Sequence, residues 1–172
     1  ETGGINAMMV DSTALPEQAV RDVLASAFQS AGQRCSALRI LYVQHEARAR
    51  LVEMLAGAAD ALVIGDPWDP ATDVGPVIDT DAEAGLAAYV AHPPGPIVKS
   101  LPAPGGGRFI GPAMLDVPGI AALEREVFGP VLHLAGFGTS RLEDTITAIN
   151  ARGYGLTFGL HTRIDERVER IT

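Results

Sequence analysis

The sequence predicts an α/β domain built on an open, mostly parallel sheet flanked by helices. Three observations carry that expectation. Short apolar runs such as Asn6–Val10, 38–43 and Val131–Phe137 have the length of buried strands. Between them lie stretches whose apolar residues recur at intervals of three and four, the spacing of one helix face. Glycine and proline punctuate the boundaries, and strands that alternate with helices favour parallel pairing.

The elements follow in order. Asn6–Val10 is bounded by Gly3-Gly4 and by Asp11-Ser12-Thr13, so a strand enters the core and leaves it through polar residues. Ser12 or Thr13 is the expected N-cap of the next helix, with Pro16 in its first turn and Glu17 nearby. Val20, Val23, Leu24, Ala27 and Phe28 form its inward face, and Gly32 ends it. Cys35 therefore falls just after a helix and just before the strand 38–43, an apolar run broken only by Arg39. Residues 47–61 predict a helix with Leu51, Val52 and Leu55 inward. Residues 62–64 then lead into Gly65-Asp66-Pro67-Trp68-Asp69-Pro70, where proline and glycine prevent regular structure. A helix is expected over 81–91, a short strand over 97–99 and a turn-rich break over 102–107. The Pro/Gly-rich stretch 92–107 reads as a surface excursion within one domain. Residues 109–117 and Val131–Phe137 predict strands on either side of a loop around Glu126. Leu142–Asn150 predicts a helix, 157–162 a strand and Asp165–Ile171 the start of a helix.

A chain of 172 residues suits one domain with a substantial core. Its 13 basic and 21 acidic side chains leave a net charge of −8, which argues against nonspecific binding to nucleic acid or anionic membrane. No apolar run approaches the roughly 18 residues of a membrane span. The single cysteine rules out an intramolecular disulfide and a multi-cysteine metal cage, and it fits a reducing, cytoplasmic location. His45, His92, His133 and His161 are dispersed, so no metal site is expected, and His133 on its apolar strand reads as a satisfied core histidine. Gly105-Gly106-Gly107 follows prolines and opens no helix, so it is not a phosphate loop. The chain opens on Glu1 rather than methionine, as expected of a piece of a longer polypeptide.

A lone cysteine is either a small core residue or a nucleophile. Small neighbours in Ser30-Ala31-Gly32-Gln33-Arg34-Cys35-Ser36-Ala37 would give access to the sulfur, and Arg34 could help stabilise a thiolate. Three other patterns accompany this one: Glu1-Thr2-Gly3-Gly4, Gly65-Asp66-Pro67 with Gly75-Pro76-Val77-Ile78, and Glu126-Val127-Phe128-Gly129-Pro130-Val131. In this order, with Glu1 34 positions before Cys35, they resemble the aldehyde dehydrogenase superfamily. The segment Asn150 to Leu156 followed by Gly159 is similar to a further family motif.

The resemblance implies that Cys35 attacks an aldehyde to form a thiohemiacetal, which NAD oxidises to a thioester. It implies that Glu1 activates the hydrolytic water, that the Cys35 backbone N–H donates to the oxyanion, and that Glu126 and Phe128 bind the nicotinamide ribose and ring. The sequence around Cys35 is also similar to the glutamate γ-semialdehyde dehydrogenase module of bacterial bifunctional proline-catabolic enzymes. That likeness implies L-glutamate γ-semialdehyde as the small-molecule substrate, with Arg34 and Ser36 near its carboxylate. The family's nucleotide-binding domain and its C-terminal substrate-anchoring and oligomerisation segment have no counterpart here. Residues 1–172 are thus expected to be one catalytic-domain fragment, inactive alone, of a homo-oligomeric parent. Two rival readings stand beside this one: a noncatalytic interaction scaffold, and an NAD-independent thiol esterase using Cys35 and Glu1.

Overall fold

The structure is a computed structural model that describes residues 3–171. In chain order it contains β1 (Asn6–Val10), α1 (Pro16–Phe28), β2 (Leu38–Gln44), α2 (His45–Ala59), α3 (Thr80–Ala91), β3 (Ile97–Ser100), β4 (Ala113–Asp116), β5 (Val131–Phe137), α4 (Leu142–Asn150), β6 (Phe158–His161) and α5 (Asp165–Ile171). The six strands form one sheet in the order β3-β4-β5-β2-β1-β6, parallel throughout except for the β3–β4 pair at one edge. The fold expected from the sequence is the fold observed.

Strands β1 and β2 are buried along their whole length because both faces of the sheet are covered. Met8, Val10, Leu41 and Val43 point to one face, where Val20, Val23, Leu24 and Phe28 of α1 and Leu51 and Leu55 of α2 meet them. Ala7, Met9, Ile40 and Tyr42 point to the other, where α4 supplies Leu142, Ile146 and Ile149. Each fully buried aliphatic side chain contributes about 1.5–3 kcal/mol, so the two layers fix the register of the central strands.

Several local expectations need correction. Neither Ser12 nor Thr13 caps α1: Leu15 holds the N-cap position without a side-chain bond. Thr13 instead donates its N–H (2.7 Å) and its hydroxyl (2.6 Å) to the Asp11 carboxylate. The strand expected over 109–117 contracts to β4, because Pro112 has no N–H to extend the ladder. The short strand expected over 97–99 is present as edge strand β3, one residue longer. Helix α1 stops at Phe28, and the chain continues to Gly32 in a separate tight turn.

The two ends of the sheet differ. At the carboxyl ends of β1, β2 and β6, Asp11 accepts from the Thr162 hydroxyl and from Arg167 Nη1 (2.6 Å), tying α5 to β1. Gln44 accepts from Ser12 N–H (3.0 Å) and donates to the Thr139 hydroxyl (2.9 Å). These bonds close that end. The loops that enter β1, β2, β5 and β6 meet at the other end.

Candidate active site

The loop before β2 begins with an unusual backbone. Ser30, Ala31 and Gly32 all have left-handed conformations, with φ of 57°, 52° and 64°. Gly32 has no alternative, because a Cβ there would lie 2.2 Å from the Gly129 carbonyl oxygen. This close approach brings the turn after α1 against the turn that enters β5.

The rest of the loop is fixed from several directions. Gln33 donates to Pro76 O (3.2 Å) and accepts from Ile78 N–H (2.8 Å), which joins the loop to the Gly75-Pro76-Val77-Ile78 segment. Arg34 turns back and donates through Nη2 to Ala25 O (3.1 Å) and Ser26 O (3.2 Å) in the last turn of α1, Ala25 O also accepting from the Gln29 N–H. Ala37 N–H donates to Arg34 O (3.0 Å), closing a turn with Cys35 and Ser36 at its tip. Asn6, buried at the start of β1, donates through Nδ2 to Cys35 O (2.7 Å) and Ala37 O (2.8 Å). The Cys35 side chain, by contrast, is exposed, so the reading of an inert core thiol does not hold.

Glu126 and Phe128 lie on the facing loop. The Glu126 carboxylate accepts at Oε1 from Arg39 Nε (3.0 Å) and Nη2 (2.8 Å), and at Oε2 from Gly4 N–H (2.9 Å). Only 13% of its side chain remains exposed. Arg39 also stacks on Phe128, its Cζ 5.2 Å from the ring centroid, while 46% of Phe128 stays open to solvent. The structure therefore brings Cys35, Ser36, Glu126 and Phe128 to one end of the sheet. Arg34 is there too, but two hydrogen bonds anchor its guanidinium to α1. Glu1 lies outside the described residues.

Sequence reasoning did not single out Arg39 or Asn6 for this site. Arg39 is completely buried in the central strand, yet all five of its N–H groups are matched. Besides Glu126, Nη1 donates to Gly32 O (2.7 Å) and Gly129 O (3.3 Å), and Nη2 to Arg34 O (3.1 Å). Burial works to lower the guanidinium pKa below its usual value, and the Glu126 carboxylate opposes that shift. The available signal was a single charged residue inside an otherwise apolar strand. Asn6 at the head of β1 was an analogous signal.

His133 is the satisfied core histidine the sequence suggested. Its Nδ1 donates to Arg39 O (2.8 Å), which leaves Nε2 to accept from the Tyr89 hydroxyl (2.9 Å). Burial, with the Arg39 charge nearby, holds its pKa below the ordinary histidine value despite that bond to Arg39 O. No group of three or more potential metal ligands occurs among the described residues. No helix among them is long and apolar enough to cross a membrane.

The family model described as "Aldehyde dehydrogenase family" matches residues 1–172. The chain is 46% identical over 182 residues to the bifunctional protein PutA of Escherichia coli (strain K12), covering all of this chain and 14% of that protein. It is 34% identical over 165 residues to an N-succinylglutamate 5-semialdehyde dehydrogenase of Caulobacter sp. (strain K31), covering 93% of this chain and 34% of that one. A crystal structure of a bifunctional proline utilization A (PutA) protein superposes with a TM-score of 0.96 at 51% identity, covering 99% of this chain and 18% of that chain. The chain thus spans about one seventh of its PutA relative from Escherichia coli.

Proposed function

Because this chain belongs to the aldehyde dehydrogenase family, we propose that it is the catalytic domain of an NAD-dependent enzyme that oxidises L-glutamate γ-semialdehyde to L-glutamate in proline catabolism. The observation that carries this reading is the exposed Cys35 thiol on a tightly fixed loop, beside Glu126 and Phe128. A nucleophile needs this combination of access and a constrained backbone.

The chemistry follows from the residues. Cys35 Sγ bonds to the aldehyde carbon, and the carbonyl oxygen takes up negative charge as the thiohemiacetal forms. The Cys35 backbone N–H, which meets no acceptor among the described residues, supplies one donor to that oxygen. Glu1 is our candidate base for the water that later releases the acid from the thioester and restores the thiol. Ser36 presents a half-buried hydroxyl for the carboxylate end of the substrate, and the anchored Arg34 contributes positive charge.

The residues present fit a nicotinamide nucleotide. Among the described residues Glu126 Oε2 accepts one hydrogen bond, from Gly4 N–H, which leaves a lone pair for a ribose hydroxyl, and the open part of the Phe128 ring suits a flat heterocycle. When bound, NAD supplies the oxidising power that turns the thiohemiacetal into a thioester. The β1–α1 loop contains no glycine, and β2 runs directly into α2, so neither junction resembles a pyrophosphate cradle. We therefore expect these 172 residues alone to turn over slowly or not at all, the nucleotide-binding and oligomerisation parts belonging to a homo-oligomeric cytoplasmic parent. The test has two arms. The exposed Cys35 should be alkylated by iodoacetamide in the folded protein, and Cys35→Ala should abolish semialdehyde oxidation in the parent enzyme. A Cys35 that stays unlabelled until the protein unfolds, or oxidation that survives Cys35→Ala, would sink the reading.

A further inference from the structure

We propose that Arg39 is a positioning residue that aims the oxyanion donor at Cys35 and ties it to the segment that carries Glu126. The inference rests on the role assigned above to Cys35. Burying a guanidinium costs several kcal/mol before compensation, and an apolar residue could fill the same space. Arg39 meets that cost with five bonds to two separate parts of the chain: Gly32 and Arg34 in the loop before β2, and Glu126 and Gly129 in the loop before β5.

One of these bonds has a particular geometric effect. The Arg34 carbonyl and the Cys35 N–H belong to the same planar trans peptide, so they point in opposite directions. Arg39 Nη2 holds Arg34 O at 3.1 Å, and Ala37 N–H holds it at 3.0 Å. Fixing that oxygen fixes the direction of the Cys35 N–H. The same Nη2 also donates to Glu126 Oε1 at 2.8 Å, so one nitrogen links the donor's peptide plane to the carboxylate. Lysine offers a single ammonium centre and cannot reproduce a planar fork with five donors.

The test compares two reactions of the same thiol in the same polypeptide. Alkylation by iodoacetamide displaces iodide and builds no oxyanion. Acylation by p-nitrophenyl acetate passes through a tetrahedral oxyanion. Cys35 is already exposed, so loosening the loop would not speed either reaction by uncovering it. Arg39→Lys should slow acylation on the order of tenfold to a hundredfold while alkylation stays within about threefold. Arg39→Met combined with Glu126→Gln removes both charges together, and it should shift the ratio the same way even if the lysine variant does not fold. Circular dichroism confirms that each variant compared is folded. A purely structural role would move both rates in parallel, and a ratio unchanged from wild type overturns the proposal. If the unmodified Cys35 is no more reactive than a free thiol with either reagent, the functional reading itself fails and takes this inference with it.

Discussion

Replacing Gly32 with alanine tests the claim that the loops of the candidate site are held by backbone contact. The new Cβ would lie 2.2 Å from Gly129 O, 2.6 Å from Gly129 C and 2.9 Å from Ala27 O. To reach an ordinary contact of 3.4 Å, the Gly129 oxygen must retreat by about 1.2 Å. Alanine at a φ of 64° adds about 1–2 kcal/mol of left-handed strain. The retreat also pulls Gly129 O and Gly32 O away from Arg39 Nη1, and hydrogen bonds to a charged group contribute about 1.5–3 kcal/mol each. Partial relaxation will recover some of this, so we expect a net loss of about 3–5 kcal/mol, a large fraction of a typical domain's stability. Urea unfolding followed by circular dichroism measures it. Gly57→Ala is the control: it lies inside α2 with nothing within 4 Å of its added Cβ, and should gain about 0.5–1 kcal/mol. A Gly32→Ala variant within about 1 kcal/mol of wild type would refute the argument.

Two further outcomes follow from buried polar groups. Asn6→Ala strands Cys35 O and Ala37 O and removes the acceptor for Thr157 N–H, so it should cost about 2–4 kcal/mol in chemical unfolding and leave the sheet's circular dichroism intact. His133 has its pKa lowered in the fold and stays neutral there, whereas in the unfolded chain it protonates below its ordinary value of 6.5. Its share of the stability is therefore complete above pH 6.5 and is lost as pH falls below it, by up to about 1.4 kcal/mol per pH unit. Urea midpoints at pH 7 and pH 5 should separate for wild type and converge for His133→Gln; equal slopes would contradict the assignment.

Much of the fold was legible because local pattern and global environment agree. The strands Asn6–Val10 and Val131–Phe137 and the helix Leu142–Asn150 have the bounds their sequences predict, and the last helix starts at Asp165 as expected. The failures occur where a long-range partner outbids a local one. Thr13 would cap α1 on local grounds, but the Asp11 carboxylate is closer to hand and itself binds Thr162 and Arg167 from the far end of the chain. Arg34 looked like a partner for the thiol and is anchored to the last turn of α1. Arg39 was visible only as an interruption, because its role depends on carbonyls supplied by Gly32 and Gly129, nearly a hundred residues apart. No local periodicity encodes that meeting.

The end of the sheet that holds Cys35 has an electrostatic consequence. Ligands of open parallel α/β sheets usually sit at the carboxyl ends of the strands, where helices begin and their positive poles favour anions. Cys35 is at the amino ends, where α1 and α4 finish and the nearby helix poles are negative. Any anion bound there starts on the unfavourable side of the macrodipole. Arg34, set on carbonyls in the last turn of α1, offsets that pole at its source, whereas the charge of Arg39 beneath the loop is balanced by Glu126. Most folds of this type meet anions at helix starts; at this end the compensation comes from a side chain, the Arg34 guanidinium bound to carbonyls of α1.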